Sequence, residues 1–288
     1  MASEHLSVNA DVLYTSDLHG SEPHYREALD WARRLRVRAL LLGGDLAPHG
    51  SIAEQRTFHE GFLLPLLRAY FGEPGSADVW WIMGNDDWAA HVGLLESSRL
   101  PKLRHAHGRI LPFLDGWSLA GLACVPVSPF ALKDWERWEE GLGPATRWNG
   151  FKSDTTGALH PFSFVGHERD ATMEGEFAAL ERAWPSGPAR VLCMFHGPPH
   201  GTACDQLHGR VHVGSRETRR FLERRSPALS LHGHIHESPA VSGRFAGTIG
   251  STVCVNPGQS PKAPLAAVSF SMANPAATLT HTLLGAAR

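Results

Sequence analysis

The first hundred residues repeat one unit: a short apolar, β-prone run, a glycine-bearing polar loop, then apolar residues at helical spacing. The first copy runs from Asp11 to Ser16 (DVLYTS) into Asp17-Leu18-His19-Gly20. It continues as a helix with Tyr25, Ala28, Leu29, Ala32 and Leu35 on one face, which Ser21 can cap. The second is Arg38 to Leu42, the loop GGDLAPHG, and a helix opened by a Ser51/Glu54 capping-box pattern that Pro65 kinks or divides. The third is Val79 to Met83, the loop Gly84-Asn85-Asp86-Asp87, and a helical stretch from Trp88 to Ser97. Strand, loop and helix in succession call for a largely parallel sheet with right-handed crossovers.

From Leu111 to Phe164 the chain is rich in Trp, Pro and Gly and reads as further strands plus an extended loop or cap, with a charged helical stretch at Lys133 to Glu140. Strand signals return at Arg190 to Phe195, before HGPPHG, and at Ala228 to Leu231, before HGHIH; between them Ser215 can cap a helix carrying Phe221 and Leu222. The tail from Ala246 to Leu284 reads as strands and turns, with NPGQ at Asn256 to Gln259 as a turn. Beyond these recurring strand-loop-helix units, no internal sequence repeat or low-complexity linker divides the 288 residues, so one domain over 1–288 is expected, with a loop or cap region near 111–164.

Composition narrows the function classes. Hydrophobic residues at 42% and charged residues at 19% suit a globular core. Lys plus Arg number 27 against 29 Asp plus Glu, and a net charge of -2 offers a polyanion no general attraction, so no nucleic-acid surface is indicated. The start, MASEHLSVNA, has no apolar core, and no apolar run reaches the ~20 residues that cross a bilayer. A cytoplasmic protein with no membrane partner is expected. The four cysteines form no CxxC pair and read as reduced, buried thiols.

Chemistry concentrates where the strands end. Asp17-Leu18-His19, Gly44-Asp45, Gly84-Asn85-Asp86-Asp87, His196-Gly197 and Gly233-His234-Ile235-His236 all follow apolar runs, and the carboxyl edge of an open α/β sheet is where ligand sites assemble. Their pooled donors are the carboxylates of Asp17 and Asp45, the amide oxygen of Asn85, and the imidazoles of His19, His196, His234 and His236. Mixed nitrogen and oxygen donors suit Mn, Fe, Zn, Ni or Co better than calcium. Seven donors exceed one tetrahedral ion. Two ions sharing a carboxylate, roughly 3.5 to 4 Å apart, would clamp a phosphoryl group and an attacking hydroxide together.

The order DxH, GD, GN, H and GHxH, from Asp17 to His236, resembles the calcineurin-like metallophosphoesterase superfamily, and NPG at Asn256 resembles a turn found after GHxH in its bacterial members. The resemblance implies a four-layer α/β/β/α sandwich of two mixed β-sheets with metals at the loop edge. It implies one ion on Asp17, His19, Asp45 and His236, and a second on Asp45, Asn85, His196 and His234, with Asp45 as the bridge. The activity implied is that of a dinuclear metal-dependent phosphoesterase, in which a metal-bridging hydroxide attacks phosphorus in line. Manganese is the first ion to expect, with Fe, Zn, Ni or Co also suited.

One departure matters. Many members follow GN with a histidine that contacts phosphate and helps protonate the leaving group; here Asp86 stands in its place. A carboxylate near phosphate oxygens is repelled unless protonated or metal-bound, so Asp86 cannot simply inherit that role. Asp45, Asn85 and Asp86 are the candidate catalytic residues, and the expected substrate is a small diester or nucleotide-type ester. A phosphomonoesterase, a nuclease or a non-catalytic scaffold of the same superfamily are the alternatives.

Other residues have two readings each. Asp87 orients its loop or is a surface carboxylate, and His200 reaches substrate or is a loop histidine. Trp80 and Trp81 are expected to pack on opposite faces of a strand. Trp135, Trp138 and Trp148, with Arg137, Arg147 and Lys152, make either a nucleotide-binding wall or cap packing. His105, His107, His208 and His212 are expected to titrate in solvent, one of them being available to replace the missing acid.

Overall fold

The computed structural model describes residues 10–141, 147–186 and 190–287. The amino-terminal segment MASEHLSVNA thus lies outside the described residues apart from Ala10, and so does 142–146 of the expected cap region.

The opening repeats fold as their pattern predicts. In chain order they give β1 (Val12–Thr15), α1 (Glu22–Leu35), β2 (Ala39–Leu42), α2 (Ile52–Phe58), α3 (Leu64–Phe71), β3 (Asp78–Trp81), α4 (Val92–Ser97) and β4 (Leu103–His105). β1 and β2 are buried throughout, as strands covered on both faces must be. α1 buries Tyr25, Ala28, Leu29 and Ala32. Ser21 sits at its N-cap but makes no side-chain cap bond; Pro23 in the first turn has no N–H to satisfy. The Ser51/Glu54 capping box forms in full. A single π-turn at His59–Leu63 separates α2 from α3 immediately before Pro65, whose missing N–H cannot continue the α-helical ladder.

The remainder supplies β5 (Arg109–Pro112), β6 (Ser118–Leu122), β7 (Val125–Pro126), β8 (Glu136–Arg137), β9 (Asn149–Ser153), β10 (Leu159–Ser163), α5 (Met173–Arg182), β11 (Val191–Phe195), α6 (Arg216–Arg225), β12 (Leu229–Leu231), α7 (Ser238–Ser242), β13 (Ala246–Ile249), β14 (Thr252–Val255), β15 (Val268–Phe270), β16 (Thr280–His281) and β17 (Gly285–Ala286). One sheet runs β17-β16-β15-β1-β2-β3-β4 and the other β13-β14-β12-β11-β6-β5. Each has a parallel block, β1 to β4 in the first, with antiparallel strands on the β1 side only, and β14-β12-β11-β6 in the second, with an antiparallel strand on each side. Two mixed sheets with helices outside them make the expected α/β/β/α sandwich. Among the described residues no helix is long and apolar enough to cross a membrane.

Lys133 to Glu140 departs from expectation: it is extended, and β8 pairs in parallel with β7. Tertiary hydrogen bonds claim its side chains. Buried Lys133 donates to Glu136 at 2.5 Å and to the Ser128 carbonyl at 3.1 Å. Asp134 accepts from the Ala89 and Ser153 amides, and Trp135 Nε1 donates to the Asp87 carbonyl at 2.8 Å. These contacts outweigh a helix propensity worth tenths of a kcal/mol per residue. The suggested aromatic and cationic wall is committed to packing: Trp138 lies 4.8 Å from Trp148, Arg137 bonds Glu176 at 2.6 Å, and Lys152 sits 3.6 Å over Phe162.

Two of the histidines expected in solvent are not there. His105 stacks on Trp81 at 4.1 Å and bonds Glu96 at 2.8 Å. His107 accepts from the Ala123 amide and lies edge-on to Trp135; burial pushes its pKa down to about 4. A flat ring covers a tryptophan as well as an apolar side chain does; His105 is held through Nδ1 alone, its Nε2 having no hydrogen-bond partner among the described residues. His208 is exposed, and half-buried His212 bonds Asp205 at 2.7 Å. Trp80 packs edge-on against Phe113, while its neighbour Trp81 covers His105.

Candidate metal centre

Backbone bonds join the loop after β1 to that after β2 and the loop after β11 to that after β12, while side chains tie in the loop after β3 and link the two groups. The Asp17 amide donates to the Gly44 carbonyl, the His19 amide to Asp45, and the Gly233 amide to His196. Asp17, His19, Asp45 and His234 all have left-handed backbones, with φ of 60°, 42°, 51° and 66°. Such conformations cost on the order of 1 kcal/mol each, and surrounding contacts must hold them. Glycine is required between them: Gly44 has φ +105°, and a Cβ there would come within 2.6 Å of His196 Nδ1.

Ligand atoms of Asp17, His19, Asp45 and His236 all lie within 4.8 Å of one another. His19 Nε2 faces His236 Nε2 at 3.0 Å, and Asp17 Oδ1 lies 3.3 Å from His236 Nε2. Asp45 Oδ2 sits between two groups, 3.6 Å from His19 Nε2 and 3.3 Å from His196 Nε2. On the far side His196 Nε2 is 3.2 Å from Asn85 Oδ1, while its Nδ1 bonds the Gly43 carbonyl at 2.8 Å. The His234 ring lies 5.4 Å from that of His196, and its amide donates to Asp17 Oδ1. All seven residues expected from sequence thus meet at one edge, and Asp45 lies where the two groups join.

The donor set fits divalent cations. Asp17 and Asp45 are buried, and among the described residues only histidines pair with them. Among the described residues Asp17 Oδ2 has no hydrogen-bond partner. Burial disfavours charge on His196 and His236, but Asp45 and Asp17 overcome it and push them up to about 10 and about 9. Burial works to raise Asp45, yet His196 and His19 hold it below the usual carboxylate range. Burial instead pushes His234 down to about 3. Two carboxylates that draw protons onto buried imidazoles call for positive charge, and a cation displaces such protons when it binds.

Residues beyond the motifs hold the loops. Asp87 is wholly buried and accepts from the amides of Leu46, Ala47 and Gly84, so it ties the Asp45 loop to the Asn85 loop. Asn256 donates to the carbonyls of Cys204, Gly233 and Ile235. The NPG turn thereby braces the His234–His236 loop, a role for which the turn signal gives no partner. Gln55 donates to the carbonyls of Pro48 and Asp86, and nothing in the α2 pattern singles it out. His200 is half-buried, and its carbonyl accepts from Arg219.

Residues 10–238 match the family model of the calcineurin-like phosphoesterases. The chain belongs to that family, whose members are phosphoric ester hydrolases that typically hold two divalent metals, and the His/Asp cluster is where this chain could hold them. A search of curated protein sequences finds no match. Among solved structures the fold is similar to a Thermus thermophilus protein at 16% identity, covering 90% of this chain and 94% of that one, with a TM-score of 0.60. It is similar also to a dimetal phosphatase from Danio rerio at 15% identity, 92% and 94% coverage and TM-score 0.56. The GAP50 anchor of the inner membrane complex of Plasmodium shares the fold at 10% identity, 90% and 80% coverage and TM-score 0.51.

Proposed function

We propose that this protein is a metal-dependent phosphodiesterase acting on a small diester or nucleotide-type ester. Asp17, His19, Asp45 and His236 would hold one cation, and Asp45, Asn85, His196 and His234 the other. Two such ions supply Lewis acidity, lower the pKa of water and neutralise charge growing on phosphoryl oxygens. Manganese is the first ion to test. The chain's own share is to fix the donors: Asp87 and Asn256 brace the loops, and Asn85 and Asp45 face the shared centre.

The observation that carries the diester preference is Asp86. Its carboxyl lies 3.8 Å from His19, and burial together with Asp45 and Asp87 pushes its pKa up to about 8. A carboxyl at the mouth gives no help to the second negative charge of a monoester, whereas a diester brings one charge only. We read residues 1–288 as one domain whose cap lies within 111–164, and place the protein in the cytoplasm, where four buried unpaired thiols stay reduced. The test is kcat/KM on matched aryl mono- and diesters with manganese and other divalent ions. The diester should be the better substrate; a monoester preference overturns the reading.

A further inference from the structure

The mouth of the candidate metal centre carries an imidazole that none of the motifs contains. His49, in the loop after Asp45, has Nδ1 2.9 Å from Asp86 Oδ2. Its ring stacks on His19 with centroids 4.3 Å apart and planes 20° off parallel. The side chain is 68% exposed, against 16% for Asp86, so the pair runs from the buried cluster out to solvent. Buried Gln55 fixes both ends, since its amide donates to the Pro48 carbonyl at 3.0 Å and to the Asp86 carbonyl at 2.6 Å.

We propose that His49 is the substrate-contacting imidazole of this enzyme and that Asp86 is its positioning residue. The inference rests on the diesterase reading above. The Asp86 carboxyl on Nδ1 fixes ring orientation; with one proton shared between Oδ2 and Nδ1 and the other on Nε2, Nε2–H is the outward donor, and among the described residues it has no hydrogen-bond partner. The arrangement also accounts for an acidic residue at a phosphate site: Asp86 Oδ2 is engaged by an imidazole. During hydrolysis an oxygen from water bonds to phosphorus and the bond from phosphorus to the alcohol oxygen breaks. That oxygen leaves with the electron pair and takes its proton from water at the open mouth, while His49 hydrogen-bonds it as its charge grows.

The experiment uses metal-loaded protein and methyl aryl phosphodiesters whose phenols rise in pKa. His49→Ala should lose about 10²-fold in kcat/KM on the poorest leaving group, the range for one lost donor at a developing oxyanion, and only about 3-fold on the most activated. His49→Gln, which keeps a donor, should recover part of that loss. Asp86→Asn should show the same leaving-group dependence in weaker form. Inorganic phosphate, titrated by calorimetry, should bind about 10-fold more weakly to His49→Ala. A uniform loss across all leaving groups overturns the proposal. So does a lost metal ion in His49→Ala, since His19, His49 and Asp86 place ligand atoms within 4.8 Å of one another and would then be a cation site. If the wild type turned over no diester, the diesterase reading would fall, and phosphate affinity would still decide the matter: equal binding by wild type and His49→Ala overturns the role of His49.

Discussion

The two sides of the loop edge use the same residue types in different settings. Around His19 and His236 the site is open, with side chains 11% and 33% exposed; around His196 and Asn85 it is closed, with His196 wholly buried and held by the Gly43 carbonyl. The open side borders Asp86 and His49, whereas the closed side is continuous with the core beneath β11 and β12. One side is therefore placed to meet substrate and the other to resist deformation. Asp45, with one oxygen between His19 and His196, belongs to both.

The largest expected effect removes what the sides share. Asp45→Asn should lower turnover by about 10³-fold or more, as loss of several kcal/mol of charge stabilisation would, and metal analysis should find fewer than two ions per chain. Retention of full activity would show that the two sides work independently.

Next in size is a contrast between the sides. His196→Ala leaves a cavity and strips buried Asp45 of its nearer imidazole, and should cost the metal-free protein about 3 kcal/mol in urea unfolding. His236→Ala, at the solvent edge, should cost about 1 kcal/mol or less by the same measurement, though it weakens metal binding. Equal losses would erase the distinction between an open and a closed side.

The smallest effect separates burial from charge. His59 in the π-turn is as buried as His196, but among the described residues no carboxylate pairs with it, and burial pushes its pKa down to about 3 rather than up. Above pH 6.5 His59 is neutral in both folded and unfolded chains. As pH falls from 6.5 towards 3, the unfolded chain binds a proton that the folded one refuses, so stability is lost. Between pH 7 and 5 the loss from this residue is about 2 kcal/mol, and His59→Leu should lack that share of the pH dependence in urea titrations. An unchanged slope would mean that His59 is not desolvated.

Much of the fold was legible because its signals are local. Each apolar run ending in glycine became a parallel strand, the Ser51/Glu54 capping box formed, and Ser215 caps α6 through the Thr218 amide. The seven metal candidates were legible for the same reason: each lies directly after a strand whose end the sequence marks. Lys133 to Glu140 was misread as a helix because its charged pattern matches one, while the partners that keep it extended, among them Ser128, Ser153 and Asp87, lie elsewhere in the chain. His105 and His107 were misplaced because a polar ring that covers a tryptophan leaves no periodic trace.

The sequence by itself determined the order of strands, the residues at their ends and hence the donor set of the candidate centre, because strand ends and glycine turns are decided by neighbours in the chain. Only the tertiary structure decided that Asp45 lies between two histidine groups, that Asn256 and Gln55 brace the loops, and that His49 stands on Asp86. Those facts depend on distances between segments far apart in the chain, and such distances are set by packing two sheets together rather than by any local preference of the residues involved.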